Sequence, residues 1–198
     1  MKLRYSAASP FARKVVIAGH VLGLAERIDL VGNEEDPGDA IRSRNPLNKI
    51  PMLLTDDGQA IFDSRVILEF LDHLAGGGRI IPTSPDARFK TLTLQALADG
   101  ISEAAVLIVY EGRYRDKEHY SPRWISHQQV KIDKALDFLE TQSPGAAVDV
   151  GTIALACALG FLDLRAGGAW RASHPKLVAW LDGFSGKVPS FKQTVAES

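Results

Sequence analysis

The chain has 198 residues, 45% of them hydrophobic and 24% charged, a composition that builds a folded core and excludes a disordered chain. Basic and acidic side chains balance, 23 against 24, and a cut near residue 85 leaves 10 against 11 before it and 13 against 13 after, so neither half carries a field that collects nucleic acid or anionic lipid. A single cysteine, Cys157, excludes an internal disulfide and a cysteine-based metal cluster; with apolar runs short of the roughly 20 residues of a membrane span and no signal-like start, the default is a reducing cytoplasm without a membrane partner.

Lys2 to Ser6, where Leu3 and Tyr5 flank Arg4, reads as a short strand. Ser9 and Pro10 then announce a helix over about Pro10 to Leu22, because a serine oxygen accepts a free N–H at the cap and proline is preorganised for the first helical position. Arg27 to Val31 follows as a second strand, and Gly32 to Asp39 as a loop. Pro51 to Thr55, the Asp57-Gly58 turn and Gln59 to Phe62 predict a β-hairpin. Ser64 to Ala75 is helical, with Val66, Ile67, Phe70, Leu71 and Leu74 on one side. Gly76 to Pro85 has the composition of a linker. Beyond it only helical patterns recur, over roughly Asp86 to Arg115, Pro122 to Gln142, Val150 to Arg165 and Pro175 to Lys187. The fold class is therefore α/β followed by all-α.

Three motifs now make the chain legible: Ser6-Ala-Ala-Ser-Pro-Phe-Ala-Arg-Lys14 at a strand-to-helix turn, Asn45-Pro-Leu-Asn-Lys-Ile-Pro51 before the hairpin, and Phe62-Asp-Ser64 opening a helix. In this order and spacing they resemble cytosolic glutathione transferases, as a serine-type bacterial member, and the helical second part resembles that family too. The resemblance implies a thioredoxin-like domain over residues 1–77 that binds glutathione and an all-helical bundle over 86–198 that contributes the site of a small hydrophobic electrophile. It also implies a homodimer and no cofactor beyond glutathione as co-substrate.

The chemistry starts from the glutathione thiol, whose pKa near 8.5 leaves only a few per cent as the nucleophilic thiolate at neutral pH. A hydroxyl at a helix N-terminus donates a hydrogen bond to that sulfur while the helix dipole favours its charge. Local sequence leaves Ser9 open as a mere cap; the resemblance implies that it stabilises the thiolate, with Tyr5 and Ser6 as rivals. Phe11 lies on the same turn, and the resemblance implies that it also helps bind glutathione. Pro51 is implied to follow a cis bond that turns the Ile50 backbone toward the cysteinyl part of glutathione, pairing as an added strand does. Lys49 is either a partner of the glycine carboxylate or a solvated lysine. Asp63 and Ser64 cap a helix by type alone; the resemblance adds the γ-glutamyl end, with Ser64 for its carboxylate and Asp63 for its ammonium.

Asp149 and Thr152 exchange the residue types that the family places at a helix start, and Thr152 is expected to be a weak reciprocal cap. Cys157, inside an apolar helix, reads as a small buried hydrophobe rather than a nucleophile. The electrophile site is expected beside Phe11 and the first long helix, around Ile108, Tyr110, Arg113 and Tyr114. The apolar run Ala104 to Ile108, next to Asp99 and Glu103, is the segment expected to face a partner copy. His20, His73, His119, His127 and His174 have no metal-ligand spacing, so no metal is expected. A thiol-disulfide oxidoreductase would need a cysteine at the Ser9 turn. A non-catalytic glutathione- or ligand-binding protein of the same fold is the alternative from another class.

Overall fold

The computed structural model describes residues 1–32 and 42–196. In chain order it contains β1 (Lys2–Tyr5), α1 (Pro10–Val21), β2 (Asp29–Gly32), β3 (Met52–Leu54), β4 (Ala60–Ile61) and α2 (Ser64–Leu74). The helices α3 (Pro85–Tyr114), α4 (Pro122–Thr141), α5 (Val150–Ala166), α6 (Pro175–Lys187) and α7 (Ser190–Gln193) follow. The architecture is a thioredoxin-like unit with a small sheet followed by a mostly helical unit. β2 begins later than the sequence pattern suggests because Ala25–Arg27 closes a single turn of 3-10 helix. The loop expected over Gly32 to Asp39 lies outside the described residues from position 33 on. α7 has only four residues, too few to display a helical period.

The sheet has the order β2-β1-β3-β4. β1 runs parallel to β2, which requires the crossover that α1 supplies, and antiparallel to β3. β3 and β4 form the antiparallel hairpin, with Leu53 opposite Ile61. Arg4 is as buried as Leu3, so β1 is covered on both faces rather than alternating between core and water.

The glycine-rich stretch after α2 is held down rather than slack. Gly76, Gly77 and Gly78 all have positive φ, a backbone region that side-chain-bearing residues avoid. That path brings three successive backbone N–H groups, of Gly78, Arg79 and Ile80, onto the Asp72 carboxylate at 2.8–2.9 Å. Ile80 and Ile81 are buried, and the Ile80 carbonyl accepts the Val150 N–H at the start of α5.

α5 is the core of the helical part: Ile153, Leu155 and Leu159 have no exposed surface. Each such side chain contributes about 1.5–3 kcal/mol through burial. The expectation of a weak cap at its start is corrected by the geometry. Asp149 Oδ1 accepts the Thr152 N–H at 2.9 Å, and Thr152 Oγ1 accepts the Asp149 N–H at 3.0 Å, so the box closes in both directions. A threonine hydroxyl both donates and accepts, and Thr152 donates onward to the Ala147 carbonyl at 2.9 Å.

α3 packs against α4 and α5. By length and composition it could cross a membrane, with a window of mean hydropathy 1.5. Its buried face is nonetheless polar in part, carrying Thr91, Gln95, Asp99, Ser102 and Glu111, which suits a helix packed inside a protein. The same helix corrects the expected partner-facing segment. Ala104 and Ala105 are buried within the chain, and Asp99 is occupied by Lys14, leaving Leu107 as the more exposed member of that run.

Candidate glutathione site

Strand directions bring the three motifs to one end of the sheet. β1 ends at Tyr5 just before the Ser9 turn, β3 begins just after Ile50 and Pro51, and β4 ends just before Asp63. Because β3 runs opposite to both of its neighbours, the end of β1, the start of β3 and the end of β4 lie side by side. Two helix N-termini, of α1 and α2, open at this same end. Each presents unpaired N–H groups and a partial positive charge of roughly half an elementary charge.

Ser9 is the N-cap of α1, and its Oγ accepts the Ala12 N–H at 3.3 Å. Capping and thiolate stabilisation are compatible there, since the same oxygen carries a hydrogen that it can donate. Phe11, two residues further on, is half-buried, with the Lys14 ammonium 5.7 Å from its ring centroid. The Ile50–Pro51 bond is cis, as the resemblance implied, and so is Phe62–Asp63. Ile50 is half-buried and Lys49 exposed. The loop around them is shaped by Asn45, which the sequence motif included without a role: it is buried, accepts the Leu47 N–H at 3.0 Å and donates to the Lys49 carbonyl at 2.9 Å.

Asp63 caps α2 by accepting the Arg65 N–H at 2.9 Å, and the Arg65 guanidinium lies on its second oxygen at 2.9 Å. Partial burial pushes the Asp63 carboxyl up. The hydrogen bonds from the Arg65 side chain and backbone, with the charges of Arg65 and Lys14, outweigh it and hold the group below the usual carboxylate range. Arg65 is held above its ordinary value by the hydrogen bond and charge of Asp63, with Asp99 and Glu103 on α3 adding to the field. Ser64 is buried beside this pair. Arg65, which the motif reading did not name, stands beside the candidate residues through its pair with Asp63; its only signal was its place directly after Asp63-Ser64.

Two further cations lie on α1 behind the turn. Lys14 is 1% exposed and pairs with Asp99 of α3 at 2.5 Å. Arg13 donates from Nη2 to the Phe191 carbonyl at 2.6 Å and from Nε to Thr194 Oγ1 at 3.2 Å, with its guanidinium 4.3 Å over the Phe191 ring. Burial lowers its pKa, offset in part by the charge of Asp163. Cys157 is fully buried next to them, and desolvation pushes its thiol up to about 12 despite both cations, so it stays a neutral thiol.

Tyr110, Arg113 and Tyr114 cluster at the far end of α3. The tyrosine rings meet edge to face at 5.2 Å, and Arg113 lies 5.6 Å from the Tyr110 centroid. They lie about 16–22 Å along the helix from Asp99, and among the described residues their ring contacts are with one another. Among the described residues no group of three or more His, Cys, Asp or Glu side chains gathers to hold a metal.

Comparisons with known proteins agree with this geometry. Residues 8–74 match the family model for the glutathione S-transferase N-terminal domain, and residues 122–183 match that for the C-terminal domain. The chain is 32% identical to the uncharacterized GST-like protein YibF of Escherichia coli K12, over 98% of each chain. It is 40% identical, with a TM-score of 0.92, to a glutathione transferase family member from Pseudomonas fluorescens Pf-5 solved with bound glutathione, over 100% of this chain and 99% of that one. A glutathione S-transferase from Methylobacillus flagellatus KT, solved with glutathione, is 33% identical with a TM-score of 0.86 over 99% of each chain. With both domain types matched in order and a full-length relative above 30% identity, the chain belongs to the glutathione S-transferase family.

Proposed function

We propose that this protein is a glutathione transferase that binds glutathione at the sheet end formed by the Ser9, Ile50-Pro51 and Asp63-Ser64 motifs and adds its sulfur to small electrophiles. The observation that carries this reading is the convergence of two helix N-termini and the Ile50 backbone at one sheet end, with a serine hydroxyl at the head of α1. Relatives solved with glutathione bound support it.

In this reading the Ile50 backbone pairs with the cysteinyl residue, and Ser64 with the α2 N-terminus receives the γ-glutamyl carboxylate. Arg65 adds a cation there, and Asp63, already shared with Arg65, takes the ammonium. Lys49 reaches the glycine carboxylate. Ser9 donates to the thiolate, which attacks the electrophile; the thiol proton leaves to solvent and no cofactor is needed. The electrophile lies on the Phe11 side, toward Tyr110, Arg113 and Tyr114. Val66 on α2 and Phe89 on α3 are exposed on neighbouring helices that the Arg88–Glu69 pair joins at 2.7 Å, and this apolar face is the proposed contact of a homodimer. A neutral buried cysteine fits a cytoplasmic setting.

Ser9→Ala tests the reading. Glutathione affinity, measured by calorimetry, stays within a few-fold, while conjugation falls roughly 10- to 100-fold, about 1.4–2.8 kcal/mol of activation. The deficit shrinks at high pH, where the thiol ionises unaided. Unchanged conjugation on a substrate whose chemistry is rate-limiting reduces Ser9 to a cap and moves attention to Tyr5 and Ser6. Saturable glutathione binding with no conjugation across an electrophile panel favours the non-catalytic binding protein.

A further inference from the structure

Arg13 is the least explained charge near the site. It is 8% exposed, yet among the described residues no carboxylate reaches it at ion-pair distance. Its partners are neutral: the Phe191 carbonyl, the Thr194 hydroxyl and the Phe191 ring, all from the C-terminal segment that follows α6. The slot is shaped for it. A Cβ on Gly160 of α5 would lie 2.5 Å from Arg13 Nη1, so glycine there leaves room for the fork where it now lies.

Arg13 is one turn after Ser9 on α1, and both line a cavity of about 30 Å³. That space holds about two waters. Its other walls are mostly apolar, from Ala7, Phe161, Leu164, Val195 and Ala196. Beside these mostly apolar walls a buried charge acts over distance more strongly than at a surface.

Among the described residues no neighbouring carboxylate pairs with Arg13 directly, and Asp163 offsets only part of its field. On α1 itself, Lys14 is neutralised by Asp99 of α3 at 2.5 Å. On α5, Cys157 is a neutral thiol, and Asp163 is engaged by Arg171 at 2.7 and 2.9 Å and by Trp170 Nε1 at 2.9 Å. On α7, Lys192 is exposed and carries the same sign.

We propose that Arg13 is a positioning residue whose buried positive charge adds to the α1 N-terminus in favouring the glutathione thiolate at Ser9, and that Phe191 and Thr194 of the C-terminal segment hold it there. The C-terminal segment thereby sets the reactivity of a thiol it does not touch. This rests on the glutathione reading above and deepens it.

The test is a pH titration of bound glutathione by the ultraviolet absorbance of its thiolate, in the full-length wild type, Arg13→Met and Arg13→Lys, with glutathione affinity measured separately. Arg13→Met raises the apparent thiol pKa by about 1, the scale of one nearby charge, and lowers conjugation at neutral pH up to about 10-fold while affinity stays within a few-fold. Arg13→Lys, which keeps the charge and loses the fork, recovers at least half of that shift. An unmoved pKa in Arg13→Met overturns the proposal, as does an equal shift in the two variants, because charge is then not the agent. If Arg13→Met does not fold, Thr194→Val carries the test. It removes one hydrogen bond that aims the fork, and an unchanged thiol pKa with an unchanged melting temperature overturns the proposal too. Absence of saturable glutathione binding in the wild type removes the glutathione reading itself; a depressed thiol pKa that Arg13→Met leaves in place removes only the present inference.

Discussion

The Lys14–Asp99 pair is a buried ionic tie between the sheet unit and the helical unit, and replacing Asp99 by asparagine tests it. The side chains are 1% and 7% exposed, and the 2.5 Å contact joins α1 to α3. Removing the carboxylate charge leaves a buried ammonium beside a second buried cation, Arg13, around the neutral Cys157. Loss of one partner from such a pair costs about 3–5 kcal/mol, because the remaining charge keeps its desolvation penalty and loses its compensation. For a chain of this size, where 1 kcal/mol corresponds to roughly 2–4 °C, the melting temperature falls by about 6–20 °C. Replacing both residues by apolar ones, Lys14→Met with Asp99→Leu, removes both charges, and the double variant recovers most of the loss. Thermal unfolding of wild type, Lys14→Met, Asp99→Leu and the double variant in one buffer gives the cycle. A single Asp99→Asn variant that melts within about 2 °C of wild type refutes the argument, since the pair would then be solvated well enough to carry little energy.

Three further outcomes follow from the structure. Cys157, with its thiol pushed up to about 12, reacts with an alkylating reagent only as the chain opens, so labelling followed by mass spectrometry is slow in native buffer and fast in denaturant. Thr152→Val keeps the volume of the α5 cap but loses the bonds from Asp149 N and to the Ala147 carbonyl, and denaturant titration shows a loss of about 1–2 kcal/mol without a change in slope. Asp63 has a folded pKa below its unfolded value, so its contribution is complete above the unfolded value near 3.9 and disappears as pH falls through the folded one. Asp63→Asn therefore differs from wild type in melting temperature near neutral pH, and the small gap closes in acid; a gap that persists at the lowest pH assigns it to something other than this charge.

Local chemistry accounts for what the sequence alone determined. Ser9-Pro10 and Asp63-Ser64 announce caps by residue type, the Asp57-Gly58 turn announces a hairpin, and the apolar period of α2 marks a helix, because each signal is complete within a few residues. The three motifs carry the family resemblance for the same reason. What the tertiary structure decided concerns partners distant in sequence. Lys14 has its counter-charge 85 residues away, and its helix neighbour Arg13 is fixed by groups 178 and 181 residues later. No window of sequence contains both halves of such a contact. The same holds for Ala104 and Ala105, whose apolar run reads equally as a surface for a partner or as the inside of the chain until α4 and α5 are packed against it. At the start of α5, residue type pointed to a weak cap because the reciprocal bond is ordinarily made by an acid. Backbone placement of the Ala147 carbonyl, which fixes the Thr152 hydroxyl, completed the box instead. Sequence states which groups a residue offers; only packing states which of them are satisfied, and burial makes that difference decisive.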